Sequence, residues 1–197
     1  MRAGTYRKLE DLYKIHKGYI STKGLMQGGI SNHQVAVLVL EGYLEKICHG
    51  YYWMAQCGYQ KPMDYKCIEV CLSDPRAVVA MDSAWYYQGI GKAEPDPMIV
   101  ATERTDRSAI KMNFAIERHY FSSSLFPVGI RRVQTEYGGY NIYSVERSLC
   151  DRIRLSSKAA AGEGEIELFN SIKASRGQYK RLQEYAVLFR LENFLTD

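Results

Sequence analysis

The sequence predicts an α+β protein in which three short helices and a β-hairpin come first, and a mixed α/β region that ends in helices follows. Two observations support this fold class. Serines that cap helices and glycines that end them are spaced through the first quarter of the chain, and strand-like runs lie between helical runs in the rest. With 46% hydrophobic residues, the 197-residue chain has enough apolar side chains for an ordinary core.

Composition excludes several classes of protein. Charged residues make up 24% of the chain, which contains only 16 glycines and 5 prolines, so it is neither disordered nor collagen-like. No apolar run approaches the roughly 18 to 20 residues that cross a bilayer, and no membrane partner is expected. The first 18 residues lack the continuous apolar segment of a secretory signal. The sequence therefore predicts a cytoplasmic location.

The five cysteines predict neither a disulfide framework nor a zinc site. Their number is odd, and no C-x2-C pair has a matching second pair. We interpret them as reduced, small buried side chains, which is typical of a cytoplasmic protein. The sequence predicts no metal and no cofactor.

Two helices are predicted before residue 30. Apolar spacing predicts a first helix that Thr5 caps and Gly18 ends. A short extended step leads to Ser21, which is predicted to cap a second helix over residues 22–27. The glycine pair that begins at Gly28 ends this helix.

A third helix and a hairpin complete the N-terminal region. Ser31 is predicted to cap a helix that runs to Glu41, with an inward apolar stripe made of Val35, Leu38 and Val39. Strand-like runs at 44–48 and 51–54 flank the turn His49-Gly50. Two helices joined by a glycine-containing turn and followed by a hairpin predict a winged helix-turn-helix, in which the hairpin is the wing.

We predict three parts along the chain: a winged helix-turn-helix DNA-binding domain at 1–56, a linker at 57–66, and a C-terminal domain at 67–197. The linker has no clear period and contains glycine and proline. The C-terminal domain is predicted to begin with a helix at 67–72 and a second helix that Asp74-Pro75 starts and that runs through Val78 and Val79 to Tyr87. Further predicted elements are strands at 97–101, 115–121, 130–135 and 140–143 and helices at 145–155, 165–173 and 178–194.

The sequence lacks the common catalytic motifs, and we therefore predict that the protein is not an enzyme. No P-loop, G-x-G-x-x-G, H-E-x-x-H or G-x-S-x-G sequence occurs, and the four histidines are widely separated. A nucleic-acid-processing enzyme is kept as a third hypothesis, which requires a pocket with clustered titratable groups.

One pair of charged residues has helical spacing. Arg147 and Asp151 lie four residues apart on the helix that Ser144 is predicted to cap. We interpret them as a partly buried structural ion pair that fixes this helix. The alternative interpretation is a ligand-binding or catalytic pair.

Three stretches carry motifs of a known family. The sequence I-Y-S-V-E-R-S-L-C-D-R-I-R at 142–154 is similar to the element that closes the β-rich part of that family's C-terminal domain, and 82–89 resembles its S-A-x-x-x-x-G helix. The stretch that begins at Gly18 resembles its N-terminal winged helix. The features that match in this stretch are Gly18, Thr22, Leu25, Gly29-Ile30-Ser31, Val35, Leu38, Gly42, Leu44, Gly50 and Tyr52. By these features the chain resembles the AbiE-type antitoxins, the repressor halves of type IV abortive-infection toxin–antitoxin pairs.

The resemblance implies a DNA-binding transcriptional autorepressor and antitoxin with a role in phage defence. Such a protein binds inverted repeats in its own promoter and counters a companion nucleotidyltransferase-like toxin without necessarily touching it. The partners it implies are double-stranded promoter DNA, a second copy of the chain, and that toxin. The C-terminal region is expected to be an antitoxin-type domain.

The predicted DNA interface lies on the third helix and the wing. Most of the net charge of +4 falls in the first 55 residues. We predict phosphate contacts from Lys17, Lys23 and Lys46. Base-edge contacts are predicted from Ser31, Asn32, His33 and Gln34, with Thr22 and His49 completing the interface. The AbiE-type family usually has arginines just after the helix serine and at the wing tip, where this sequence has Asn32 and His49.

A second hypothesis belongs to a different class of function. Ala36, Val37 and Leu40, which are expected on the outer side of the third helix, are apolar. The winged helix is then an oligomerisation or docking surface that uses Val37 and Leu40.

Overall fold

The computed structural model describes residues 3–155 and 163–195, which form two compact units. Unit 1 comprises Met1–Pro75, Ser108–Asn113 and Gln134–Tyr140, and unit 2 comprises Arg76–Arg107, Phe114–Val133 and Asn141–Asp197. Helices and two β-sheets are present, which confirms the α+β class. Within the described ranges, no helix has both the length and the apolar composition of a membrane span.

Unit 1 combines helices with a three-stranded antiparallel sheet of order β1-β3-β2. Its elements are α1 (Ala3–His16), β1 (Tyr19–Ser21), α2 (Thr22–Gln27), α3 (Asn32–Leu40), β2 (Leu44–Cys48), β3 (Tyr51–Met54) and α4 (Tyr65–Ser73). The predicted helices, extended step and hairpin of the first 55 residues are confirmed. The cap at Thr5 is wrong, because Thr5 lies inside α1 and is buried.

Serine caps fix where α2 and α3 begin. The Ser21 hydroxyl accepts a hydrogen bond from the Gly24 N–H at 3.0 Å. At the start of α3, the Gln34 N–H donates to the Ser31 hydroxyl at 3.4 Å, and the Ser31 N–H donates to the Gln34 side-chain oxygen at 2.8 Å. This reciprocal capping box satisfies two N–H groups that a helix start otherwise leaves unpaired.

The core of unit 1 determines which face of α3 is exposed. Nine apolar side chains from the three helices α1 to α3, the turn between α2 and α3, and the first sheet pack together: Leu9, Leu12, Ile20, Leu25, Ile30, Val35, Leu38, Leu44 and Met54. Because Val35 and Leu38 point into this core, the opposite face of α3 lies in solvent.

Gly18 allows α1 and the sheet to approach closely. It has φ +101°, and a Cβ built on it would lie 2.3 Å from the nearest ring atom of Trp53. The Trp53 side chain is buried against Tyr19 and Tyr137. No larger residue fits here without moving the indole.

Unit 2 contains most of a five-stranded sheet of order β6-β5-β4-β8-β7. Its pairs β4–β8 and β5–β6 are parallel, and β4–β5 is antiparallel. The strands are β4 (Val78–Val79), β5 (Met98–Glu103), β6 (Ile116–Phe121), β7 (Ile130–Thr135) and β8 (Gly138–Tyr143), and the helices are α5 (Met81–Tyr87), α6 (Val145–Leu155), α7 (Glu163–Ala174), α8 (Arg176–Phe189) and a 3-10 turn at Glu192–Leu195. The four strands predicted between residues 97 and 143 are confirmed, with ends shifted by up to two residues.

The helix predicted from Asp74 to Tyr87 is wrong in its first half. Val78 and Val79 form β4, the central strand, and pair with β5 on one side and β8 on the other. Both valines are fully buried, and β-branched residues are favoured in such a strand. The helix begins only at Met81.

The last predicted helix is also shorter than expected. Arg190 adopts a left-handed conformation with φ 58°, which ends α8 at Phe189. A short 3-10 turn follows at Glu192–Leu195.

Gly18→Ala is expected to destabilise unit 1 by about 2 to 5 kcal/mol, because strain at positive φ adds to the overlap with Trp53. Gly42→Ala is the matched control: Gly42 has φ +76°, but a Cβ there meets no atom within 4 Å. The control should lose only about 1 to 2 kcal/mol. Urea unfolding followed by circular dichroism measures both. Equal losses of stability for the two variants would contradict the close approach of Trp53 to Gly18.

Candidate nucleic-acid interface

The outer face of α3 is open. Asn32, Ala36 and Leu40 are spaced by four residues, and all three are exposed, Leu40 to 86%. His33 is exposed beside Asn32. Within residues 3–155 and 163–195, no side-chain hydrogen bond or ion pair engages Asn32 or His33. The face therefore presents an amide and an imidazole at one end and apolar side chains at the other.

Two of the predicted base-contacting residues have structural partners. Ser31 caps α3, and Gln34 closes the capping box. The Gln34 side-chain nitrogen also donates to the Thr5 hydroxyl at 2.8 Å, which ties α3 to α1. A base contact by Gln34 would have to break these bonds.

The three predicted phosphate-contacting lysines differ in their surroundings. Lys23 and Lys46 are exposed, and neither forms an ion pair in the part of the chain that the structure describes. The Lys17 ammonium lies 2.7 Å from a carboxylate oxygen of Glu136, which is also in unit 1. Glu136 raises the pKa of Lys17 through this hydrogen bond. Of the three predicted lysines, Lys23 and Lys46 are thus the two without an ion pair among the described residues.

Thr22 is bonded to the turn of the hairpin, and His49 lies in that turn. The Thr22 N–H donates to the Gly50 carbonyl at 2.8 Å, and its hydroxyl lies 3.3 Å from the same oxygen. Thr22 thus fastens the start of α2 to the hairpin. His49 is exposed at the turn, next to Gly50 with its φ of +80°.

A charge cluster around the buried Glu69 was not predicted. The Lys61 ammonium lies 2.8 Å from Glu69 on α4 and 2.9 Å from Glu45 on β2, and the Tyr19 hydroxyl donates to Glu69 at 3.0 Å. Burial raises the pKa of Glu69, and the bonds from Lys61 and Tyr19 oppose the shift. The cluster fixes α4 next to β2. No sequence signal identified it, because Lys61 falls in the predicted linker.

In unit 2, Arg147 and Asp151 form an ion pair. The Arg147 Nε lies 2.8 Å from an oxygen of Asp151, and both side chains are fully buried. The sequence predicted a partly buried pair, whereas in the structure neither side chain is exposed to solvent. Burial raises the pKa of Asp151, while the Arg147 charge lowers it.

Arg147 also connects segments that are distant in the sequence. One guanidinium nitrogen donates to the carbonyls of Leu125 and Val128, each at 2.6 Å. The guanidinium lies over the rings of Tyr143 and Phe189, at 4.2 and 4.4 Å from their centroids. These contacts hold α6 against the chain after β6 and against α8, which is a structural role.

A cavity of about 420 Å³ in unit 2 brings titratable groups together. The lining includes Asp82, Glu117, His119 and Arg152, and the His119 Nε2 lies 2.7 Å from Glu117. Burial raises the pKa of Asp82, and Arg152 opposes this. The lining residues include no serine, threonine, cysteine or lysine. No cluster suited to a metal ion exists among the described residues. The cavity thus has the clustered titratable groups that the third hypothesis requires.

No protein-family model matches the chain, and no curated protein matches it significantly.

Asp151→Ala is expected to destabilise unit 2 by about 3 to 5 kcal/mol, because it leaves the Arg147 charge buried and unpaired. Glu117→Ala is the control, since Glu117 is half-exposed and should change stability by less than about 1 kcal/mol. Thermal unfolding measures both. An unchanged melting temperature for Asp151→Ala together with lost function would instead indicate a ligand-binding or catalytic pair.

Proposed function

We propose that the protein is a DNA-binding transcriptional repressor and that α3 is its recognition helix. The observation that carries the proposal is the outer face of α3, where Asn32 and His33 are exposed and unpaired. Lys23 precedes this helix and Lys46 follows it, and neither charge is neutralised by a described acidic residue. An exposed amide and an exposed imidazole are suited to contact base edges, and lysine ammonium groups are suited to contact phosphates.

The order of elements in unit 1 supports a winged helix-turn-helix. Helices α2 and α3 are joined by the turn at residues 28–31, and the β2–β3 hairpin follows directly. The sheet order β1-β3-β2 places the strand before α2 beside the hairpin. In this fold α3 enters the major groove and the β2–β3 hairpin is the wing.

The residues of the interface divide by role. Lys23 and Lys46 contact phosphates, and Asn32 and His33 contact base edges. His49 contacts DNA from the wing tip. Ser31, Gln34 and Thr22 hold these elements in place, and Lys17 is occupied by Glu136.

The resemblance of the sequence to the AbiE-type antitoxins supports a wider proposal. The protein is an autorepressor that binds inverted repeats in its promoter as a homodimer, and it is the antitoxin of a cytoplasmic type IV abortive-infection pair. It counters a nucleotidyltransferase-like toxin, and residues 67–197 are the antitoxin-like part. A nucleotidyltransferase gene beside this one would support the proposal.

A docking module is the second candidate, and the exposure of Leu40 favours it. Leu40 is 86% exposed, and Ala36 is exposed one turn before it on the same face of α3, so apolar atoms are open to a partner there. Under this alternative, Leu40→Asp dissociates an oligomer without unfolding the chain, and DNA binding is absent.

The purified protein is expected to retard its own promoter fragment with a log–log salt slope of about −4, if two subunits each neutralise phosphates with Lys23 and Lys46. Lys23→Ala should weaken binding to the promoter and to random DNA equally and change the slope to about −2. Lys17→Ala is the control, because Glu136 already pairs with Lys17. Electrophoretic mobility shifts at several salt concentrations measure the slopes. Absence of binding at low salt would refute the proposal.

Asn32→Ala is expected to cost about 1 to 3 kcal/mol on the promoter and almost nothing on random DNA, because a base contact discriminates between sequences. Gln34→Ala should instead lower protein stability by about 1 kcal/mol through the lost capping box. Competition shifts and thermal unfolding separate the two effects. Equal weakening of both DNAs by Asn32→Ala would show that Asn32 reads no base.

A further inference from the structure

A second cavity in unit 2, called the larger cavity below, has a volume of about 550 Å³. It shares Asp82, Pro95 and Arg152 with the lining of the smaller cavity described above. Its apolar lining comes from α5, the segment after α5, α6 and α7: Trp85, Ile90, Val145, Leu168 and Ile172. A volume of roughly 300 to 1,000 Å³ and an apolar lining with a few polar groups are typical of small-molecule sites.

Trp85 is held in position at the wall of the larger cavity. Its indole N–H donates to the Val145 carbonyl at 3.4 Å, which ties α5 to the start of α6. Because the one donor of the indole is used within the protein, the ring offers a ligand its apolar surface. Aromatic faces also attract cations.

One guanidinium serves two carboxylates at the larger cavity. Two nitrogens of Arg152, Nη2 and Nε, donate to the same oxygen of Glu165, at 3.0 and 3.3 Å. The Nε also lies 3.3 Å from Oδ1 of Asp82. These three groups carry two negative charges and one positive charge, so Arg152 leaves one negative charge uncompensated.

Asp82 receives no hydrogen bond from residues 3–155 and 163–195. Its Oδ1 is shielded from solvent and has no hydrogen-bond partner there, since both Arg152 nitrogens donate to Glu165. The side chain is 37% exposed, which leaves Oδ2 as the oxygen that a ligand is able to reach. A partly buried carboxylate without a donor is unfavourable, and a charged donor from a ligand would stabilise it.

The other described residues that line the two cavities do not supply the missing positive charge. Lys92 and Glu167 line the larger cavity, and both are exposed and opposite in sign. In the smaller cavity, the His119 Nε2 lies 2.7 Å from Glu117. Together the two linings hold five acidic residues and two basic ones: Asp82, Asp96, Glu117, Glu165 and Glu167 against Lys92 and Arg152.

We propose that the larger cavity binds a small organic cation whose ammonium group donates to Asp82 and whose apolar body lies against Trp85 and Leu168. An ammonium group supplies a positive charge and three donors, which are what this carboxylate lacks. A bound anion would meet the uncompensated negative charge, and a neutral apolar ligand would leave Asp82 without a donor. This site goes beyond the proposed DNA binding and does not depend on it.

Three probes of one skeleton and different charge test the inference: phenethylamine is a cation, phenethyl alcohol is neutral, and phenylacetate is an anion. Isothermal titration calorimetry on the whole chain measures their affinities at neutral pH. A ligand of this size is expected to bind with a Kd of about 1 mM, and this is the value expected for phenethylamine. The alcohol should bind about tenfold more weakly, because it loses a hydrogen bond between charged groups. Phenylacetate should not bind.

A fourth probe and three variants assign the binding to this site. Ethylamine keeps the charge but lacks the ring, so it should bind more weakly than phenethylamine. Asp82→Asn should lower the affinity for phenethylamine about tenfold and leave that for phenethyl alcohol unchanged. Glu165→Gln also removes one negative charge and should have the same effect, which keeps the test valid if Asp82→Asn does not fold. Glu184→Gln is the matched control, because Glu184 is exposed on α8 and lines neither cavity.

Several results would overturn the inference. Equal affinity for phenethylamine and phenethyl alcohol rules out recognition of the charge, and so does tighter binding of phenylacetate. Unchanged phenethylamine binding by Asp82→Asn or Glu165→Gln, with a native circular dichroism spectrum, shows that the cation binds elsewhere. An equal loss in Glu184→Gln shows that only the net charge matters. Failure of phenethylamine to bind at millimolar concentration also overturns it. The mobility shifts with promoter DNA are independent of all these results.

Discussion

The capping box at the start of α3 is the interaction on which the candidate interface depends. The Ser31 hydroxyl and the Gln34 amide satisfy each other's backbone N–H groups, and the Gln34 nitrogen continues to the Thr5 hydroxyl on α1. Val35 and Leu38 then enter the core from the same helix. With its start hydrogen-bonded and its inner face packed, α3 has one rotational setting, and that setting exposes Asn32, Ala36 and Leu40.

This arrangement assigns different tasks to neighbouring polar residues. Asn32 and Gln34 both carry amides that are able to bind an adenine edge, so the two residues cannot be distinguished from the sequence alone. The structure distinguishes them, because the oxygen and the nitrogen of the Gln34 amide are both hydrogen-bonded within unit 1. The same distinction applies to lysines: Glu136 neutralises Lys17, although 119 residues separate them in the sequence. A polar residue next to a helix start is often engaged with the backbone of that helix, and its side chain is then not free for a ligand.

Local signals made the N-terminal elements predictable. Ser21 and Ser31 cap their helices through atoms at most three residues away, and the hairpin turn lies between two adjacent strands, so neighbouring residues suffice to predict them. The strand at Val78-Val79 was missed because its identity depends on distant partners: Val78 pairs with Ala101 and with Asn141, which are 23 and 63 residues away. Spacing alone indicated that Arg147 and Asp151 pair, but it gave no indication of the carbonyls and rings that enclose them.

Charge is the constraint that most limits how the proposed repressor binds DNA. Of the three predicted phosphate-contacting lysines, Lys17 forms an ion pair with Glu136, which leaves Lys23 and Lys46 for the proposed phosphate contacts. Phosphate contacts supply most non-specific affinity, and they carry no sequence information. Compared with a recognition helix that makes many phosphate contacts, one that makes few has a much lower non-specific affinity, and its specific affinity is reduced by a smaller fraction. In the proposed complex, the ratio of the two affinities would then depend on the base edges within reach of Asn32 and its neighbours on α3, and few charges would favour specificity at the expense of strength.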